Sequence, residues 1–562
     1  MLLPMQALLL MSLVSAGSAG IFTDDQARKV ETFVEEVMRC RQVPGLTLAV
    51  VKGDETWTRG FGQANIKQGV NVTKDTLFCI GSVSKAFTTT LLAMMIDESN
   101  GSFKWTSKVK DVLGPDFSLV DEERTRETTL KDLLIHRTGL NRALSPLFAG
   151  FDHNVTRTEF ARRFRFLEEV KPFRDVFEYN NWPYALLGPI VEVLSGESYE
   201  ATLEKRIFKP LGMNQSRVLG KTITANAAEM AKPYFDVENE LTLTDSSVYD
   251  VHPSEAAGAI ASSAEDMAKW MHFLLRKGVT EDNVTLVKST TLAEAFKSHR
   301  SYNRPHPITK PKYPVVDLYY GYGYAWLLST YKGYRKIMHS GGLFSYITYL
   351  TLLPDLDFGI FTSANGPGTR DEGNAQKAIA YYISDILIGD QPWLNSSTGC
   401  TFPMPWEDVS ESSQNNSDIT NTEVECLDCY IGRYGNYMFG DLDVVQSSES
   451  SLELHYGRLW GSLNTTADKS TFKVDFFGSF RFLSRPGNET FLAKVIFRGL
   501  NEGKYSTVDL ILVRKLTFTR GISFHDKNIF TSAESGTNGQ SITAFSILFM
   551  VITTLCVVFC VS

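Results

Sequence analysis

Hydrophobic positions change their period several times along this chain, and each change predicts an element. Val30, Phe33, Val34 and Val37 recur at helical spacing, which predicts an amphipathic helix over Asp24–Gln42. Gly45–Val51 is a short apolar run, Lys52-Gly53-Asp54 a turn, and Thr56–Asn65 a second strand. Ala86–Ile96 has no Gly, no Pro and no charge, the pattern of a helix buried all round. Thr128–Leu140 predicts a short capped helix ending at Gly139. Ala185–Leu194 predicts another, with Pro183 suited to its first turn, and Ile207–Met213 closes this helical region. A further helix is predicted to start in Ala256–Met267, with Ser263 as a plausible N-cap. Beyond it the pattern turns to strands: an aromatic-rich run over Tyr319–Leu328, then an antiparallel pair, Tyr346–Pro354 and Phe358–Thr362.

From Gln391 to Asn421, Ser, Asn, Asp and Pro replace the apolar residues, as in a linker. After it, alternating runs such as Leu452–Tyr456, Phe472–Phe476, Phe491–Phe497 and Val508–Val513 are separated by turn residues. They predict a small all-β sandwich or barrel. At 562 residues the chain exceeds one compact domain. The expected division is 1–19, 20–390, 391–425 (linker), 426–525 (β-domain), 526–543 (polar spacer) and 544–562 (apolar tail).

The two ends and the sequons bear on location. Residues 1–19 carry an apolar core, Ala7–Val14, followed by Ala16-Gly17-Ser18-Ala19, as in a secretory signal cut after Ala19. Small residues near Ser532 and Ser535, a polar spacer and an apolar tail without a following cation fit a glycolipid-anchor signal; a C-terminal membrane helix is the alternative. Asn71, Asn100, Asn154, Asn214, Asn283, Asn395, Asn415, Asn464 and Asn488 each begin a glycosylation sequon. The expectation is a glycoprotein on the outer face of the plasma membrane or in a secretory lumen. That oxidising setting allows a disulfide from Cys400 to Cys426 or Cys429, and the pairing cannot be read from sequence. Cys426-Leu427-Asp428-Cys429 lacks a second pair at zinc spacing, so no metal site is predicted. A net charge of −8 without any Lys/Arg run argues against a nucleic-acid partner.

The candidate chemistry begins at Gly81-Ser82-Val83-Ser84-Lys85. Serine needs a base to become a nucleophile, and a lysine three residues on shares its helical face. Buried, that lysine loses its ammonium and gains basicity. Tyr179 and Asn181, two apart, project to one side of an extended segment: a phenol to shuttle protons and an amide to hold both lysine and substrate. His339-Ser340-Gly341-Gly342 reads as strand edge, its glycines letting a substrate backbone approach. Ser82 N–H and Gly342 N–H are the expected oxyanion donors, and His339 a polar or cationic group near a leaving group or substrate carboxylate. His136, at a helix end, is expected to be structural.

With Ser82…Lys85, Tyr179-Asn180-Asn181 and His339-Ser340-Gly341 in this order, the chain resembles the serine β-lactamase/penicillin-binding-protein superfamily. It is most similar to the class C β-lactamase-like branch with its esterases and D-amino-acid peptidases. Phe78–Lys85, Leu134–Leu140, Ile207–Met213 and Ala261–Met267 are similar to further signatures of that family. The resemblance implies an α+β fold, an antiparallel sheet flanked by helices with a helical subdomain, and a C-terminal lipocalin-like β-module. It implies Ser82, Lys85 and Tyr179 as catalytic residues, and Asn181, His339, Ser340 and Gly341 as substrate-binding residues. It implies an acyl-serine intermediate, no cofactor, and a small-molecule or peptide substrate. His339 in place of the antibiotic-hydrolysing members' lysine points toward esterase- or peptidase-like members. A binding or scaffold protein built on the same fold is the competing reading. A metal-dependent hydrolase is disfavoured, since His-Glu-x-x-His is missing, and so is the Gly-x-Ser-x-Gly elbow of the α/β-hydrolases.

Overall fold

The structure, a computed structural model, describes residues 20–530 except 221–228, 238–239, 245–248, 302–312, 316, 368–372, 407–425, 485–492 and 513. The leader, the apolar tail and most of the polar spacer expected from the sequence lie outside the described residues. Among the described residues no helix is long and apolar enough to cross a membrane.

A nine-stranded sheet divides the larger body into two cores. Its order is Val70–Asn71, Glu55–Asn65, Gly45–Lys52, Phe358–Ala364, Tyr346–Leu353, Tyr334–Leu343, Leu327–Tyr331, Asp317–Tyr322, Arg300–Ser301, and every pairing is antiparallel. Side chains alternate across the sheet because successive Cβ atoms point to opposite faces. Leu46, Leu48 and Val50 therefore join the core under the helices Asp24–Cys40 and Asn374–Ile388. Ala49 and Val51 join the opposite core, which holds the helices Ser84–Glu98 and Ala264–Leu275. Ser84–Met95 is buried on all sides, as its uninterrupted apolar run predicts.

Three sequence expectations change here. Ala256–Met267 is not the start of one helix. Glu255–Gly258 is a short helix, Ile260–Ser262 pairs as a strand with Phe78–Cys79 and Arg217–Val218, and the long helix begins after Ser263. Ser263 is the N-cap, accepting from Asp266 N–H. The Tyr319–Leu328 run breaks into two strands at Gly323–Trp326, because Gly323 N–H donates to the Trp326 carbonyl across a turn and Tyr324 N–H leaves the sheet for the Ala295 carbonyl. The linker does not begin at residue 391. Leu394 and Phe402 are buried in the core beside Asp24–Cys40, and Ser396–Thr401 is helical.

The cystines also differ from expectation. Cys40 bonds Cys400, tying the first helix to this late segment across 360 residues, and Cys426 bonds Cys429. The pairing is not legible in the sequence, because Cys40 is remote from Cys400 in the chain and adjacent only after the first helix packs. Replacing both Cys40 and Cys400 by Ala is expected to lower stability by about 3 kcal/mol. Denaturant melts of the oxidised protein and the double variant check this; equal midpoints would contradict it.

The C-terminal module is a closed barrel of eight strands, not a sandwich, because its first strand, Gly432–Asn436, also pairs with its last, Arg514–Arg520. Inward positions carry Tyr434, Tyr456, Phe472, Phe476, Phe497 and Phe518, all buried, so side chains fill the interior. Arg458, on a barrel turn, donates to the carbonyls of Leu147, Phe148 and Asp250. Phe480 of the barrel approaches Phe344, whose hairpin follows Leu343. The chain then returns to the larger body. Phe530 lies under Arg162 at 4.4 Å, so the segment expected as a polar spacer from 526 touches the larger body at Phe530.

Candidate active site

Ser82 sits in a 3-10 turn, Gly81–Val83, that runs directly into the buried helix. Its hydroxyl is half-buried, whereas Lys85 has no exposure at all. Lys85 Nζ lies 3.0 Å from Ser82 Oγ, 2.8 Å from Asn181 Oδ1 and 2.6 Å from the Ala257 carbonyl. Tyr179 Oη donates to Ser82 Oγ at 2.7 Å. The serine oxygen is thus held between an amine and a phenol.

Burial holds the Lys85 pKa well below the usual lysine range, and it raises the Tyr179 phenol above its own. The rings of Tyr179 and Tyr184 lie 5.1 and 5.2 Å from Nζ. A neutral amine has two N–H groups and one lone pair. Asn181 Oδ1 and the Ala257 carbonyl can only accept, so they take both hydrogens. The lone pair is left facing Ser82 Oγ. This arrangement suits Lys85 to receive the serine proton.

The Ala257 carbonyl was not singled out from sequence, yet it fixes the amine's orientation. Its segment is pinned to the nucleophile helix: Ser84 Oγ accepts from Ile260 N–H, and Thr88 Oγ1 donates to the Ala256 carbonyl. Buried Glu255 anchors the start of the segment through Arg157 and His252. Asn180 shapes the second motif. Its side chain accepts from Trp182 N–H and donates to the carbonyls of Leu140 and Asn141, so Tyr179 precedes and Asn181 opens the helix Asn181–Ala185.

The third motif occupies the end of the strand Tyr334–Leu343. This strand is interior to the sheet, but its neighbour's last pairing is Leu327 with Met338. From His339 onward that side is a free edge, and the nucleophile turn fills it. A Cβ on Gly341 would lie 1.9 Å from the Ile80 carbonyl oxygen, and one on Gly81, at φ +51°, would lie 2.7 Å from Gly342 N. Only glycine permits this backbone contact. Leu343 and Tyr346 flank a two-residue turn, so the strand pairing alternates to leave Gly342–Ile347 without mutual hydrogen bonds. Gly342 N–H therefore points out of the hairpin toward the Ser82 turn. Ser340 and Gly342 are exposed, alternating with buried His339 and Gly341.

His339 lies beside the site as a buried ring. It is 4% exposed, with Nδ1 2.6 Å from the Ser340 carbonyl and Nε2 3.3 Å from Tyr322 Oη. Burial, and next the neighbouring Lys85, push its pKa down to about 4, so the ring is neutral near pH 7. His136 is likewise buried and held well below the usual histidine range by burial. Its ring lies 4.3 Å from the Tyr179 ring, tilted by 38°, and 3.2 Å from Tyr322 Oη. Tyr322 carried no signal in the sequence beyond lying in an aromatic run.

A nucleophile turn on a buried helix, an amine–phenol pair and a glycine-bearing strand edge define a serine site of the acyl-transfer type. The family pattern described as Beta-lactamase matches residues 30–382, and the chain belongs to that family. It is 29% identical over 371 residues to "Unguisins hydrolase ungD'" of Aspergillus campestris, covering 64% of this chain and 65% of that protein. It is 28% identical over 321 residues to "Penicillin-binding protein 4" of Amycolatopsis lactamdurans, covering 56% and 78%. In fold it is similar to the octameric penicillin-binding protein homologue from Pyrococcus abyssi, with a TM-score of 0.55, 22% identity, and coverage of 88% of this chain and all of that one.

Proposed function

We propose that this protein is a serine acyl hydrolase that cleaves peptide, amide or ester substrates through an acyl-Ser82 intermediate. The observation that carries it is the placement of Ser82 Oγ between Lys85 Nζ and Tyr179 Oη, at 3.0 and 2.7 Å. Lys85 takes the Ser82 proton as Oγ bonds to the substrate carbonyl carbon. The carbonyl oxygen becomes an oxyanion held by Ser82 N–H and Gly342 N–H. As the bond to the leaving group breaks, the proton returns to it along the Lys85–Ser82–Tyr179 contacts. Water then repeats the sequence on the acyl-serine, yielding the acid and free Ser82. Asn181 holds Lys85 through Oδ1 and keeps its amide hydrogens for the substrate carbonyl. The hydrolase naming of the Aspergillus relative supports turnover over mere binding.

The reading places the enzyme in the secretory lumen or on the outer cell face. Two cystines support this, as does the exposure of the sequon asparagines Asn71, Asn100, Asn154, Asn214, Asn283 and Asn395. The glycolipid anchor, or a membrane helix in its place, completes the proposal. A fluorophosphonate probe is expected to add to Ser82 in the intact protein and not to Ser82→Ala, as read by peptide mass spectrometry. A folded protein that takes no label would refute the reading.

A further inference from the structure

His339 occupies the position at which a charged side chain would meet a substrate carboxylate, but the structure uses its ring elsewhere. The hydrogen-bond directions follow from one end. The Ser340 carbonyl only accepts, so the neutral ring carries its hydrogen on Nδ1 and gives it to that carbonyl. Nε2 is then a bare lone pair, and Tyr322 O–H donates to it at 3.3 Å. Tyr322 Oη in turn accepts from His136 Nε2–H at 3.2 Å. His136 Nδ1 lies 3.1 Å from both the N–H and the carbonyl oxygen of Asn180, and without a hydrogen it accepts from the N–H. The relay joins the second motif to the third behind the serine. Even a cationic His339 would spend its second N–H on Tyr322, so no ring hydrogen reaches a substrate in either state.

The groups facing the ring are Lys85, His136, Tyr179 and Tyr322. The Lys85 amine is directed at Asn181, Ala257 and Ser82. Arg142, beside the segment that carries Tyr179, is paired with Glu178.

Building on the acyl-hydrolase reading, we infer that His339 is a positioning residue locked by Tyr322 and His136. The site is therefore built for substrates that carry no carboxylate beside the third motif: internal or capped amides, cyclic amides, and esters. Ser340 and Gly342, the exposed positions of that strand edge, are placed to meet the backbone of such a substrate.

The test is a pair of benzoylglycyl thioesters with the same acyl group, one leaving group ending in a carboxylate and the other in a carboxamide. The intact protein is expected to favour the carboxamide in kcat/KM by about tenfold or more. His339→Lys is expected to cut that preference by about tenfold, through KM of the carboxylate substrate alone. Ring-nitrogen NMR of labelled histidine gives a readout independent of turnover. His339 is expected as the Nδ1–H tautomer with a hydrogen-bonded Nε2, still neutral at pH 6, and Tyr322→Phe is expected to shift Nε2 to its unbonded position. A wild-type preference for the carboxylate that His339→Gln removes would overturn the inference, as would a His339 that titrates like a free imidazole. Turnover of neither thioester would count against the hydrolase reading, and the NMR tautomer would still decide the relay.

Discussion

Lys85→Met is expected to slow acylation of Ser82 by at least about 10³-fold while the protein stays folded. The variant removes the lone pair that faces Ser82 Oγ and leaves Asn181 Oδ1 and the Ala257 carbonyl without their donor. Losing those two bonds costs stability, but the apolar side chain suits a site with no exposure and needs no buried amine. Near-native circular dichroism with lost labelling is therefore the expected pair of results. The same amine sets the pH dependence. A base works only when deprotonated, and burial lowers the Lys85 pKa well below its usual value. Labelling is expected to fall as pH drops through that lowered pKa. Above it the rate should stay level through mildly alkaline pH, since the Tyr179 phenol ionises above its ordinary range. Labelling rates from about pH 5 to about pH 10 check this. A rate that climbs only near the ordinary lysine pKa would show that Lys85 is charged at neutral pH and is not the base.

Gly341→Ala is the second large effect. Its φ lies outside the left-handed region, so backbone strain is not the reason. The added Cβ would sit 1.9 Å from the Ile80 carbonyl oxygen and 2.9 Å from its carbon, and backbone atoms cannot swing aside. The strand edge must move away from the nucleophile turn, taking Gly342 N–H out of line with Ser82 N–H. Loss of one such donor costs about 10²- to 10³-fold in kcat, and the overpacking costs about 2 kcal/mol of stability. Gly342→Ala gives the contrast. Its Cβ meets only Ile347 Cδ1, at 4.0 Å, so its stability should stay within about 0.5 kcal/mol of the parent. Thermal melts of both variants, set beside turnover of a reporter ester, separate the two effects. A Gly341→Ala protein as stable and active as the parent would remove the close contact from the argument.

Much of this site was legible in the chain. Ser82 and Lys85 share a helical face by spacing, the apolar run after them predicts their burial, and Tyr179, Asn181 and the glycines follow in order. The first helix follows from its helical period, and the strands Gly45–Lys52, Tyr346–Leu353 and Phe358–Ala364 from their nearly unbroken apolar runs, because both faces of those strands are buried. The helix after Ser263 forms as expected, but the residues before it depart from it for a local reason. Three residues, Ile260–Ser262, pair with distant strand partners, and small apolar residues fit a helix or a short buried strand equally well. The linker boundary failed similarly, because Leu394 and Phe402 are too sparse among polar neighbours to announce their burial.

The identity and order of the candidate groups are legible from residue type and near spacing. Their states arise from the folded arrangement. Lys85 owes its orientation to acceptors 96 and 172 residues away, and Tyr179 reaches Ser82 across 97. The neutral His339 rests on burial and on Tyr322, and the Cys40–Cys400 bond on a helix docking across the whole larger body. Protonation, tautomer and cystine pairing are set by desolvation and by which partner arrives within bonding distance, and those quantities exist only once the chain has folded.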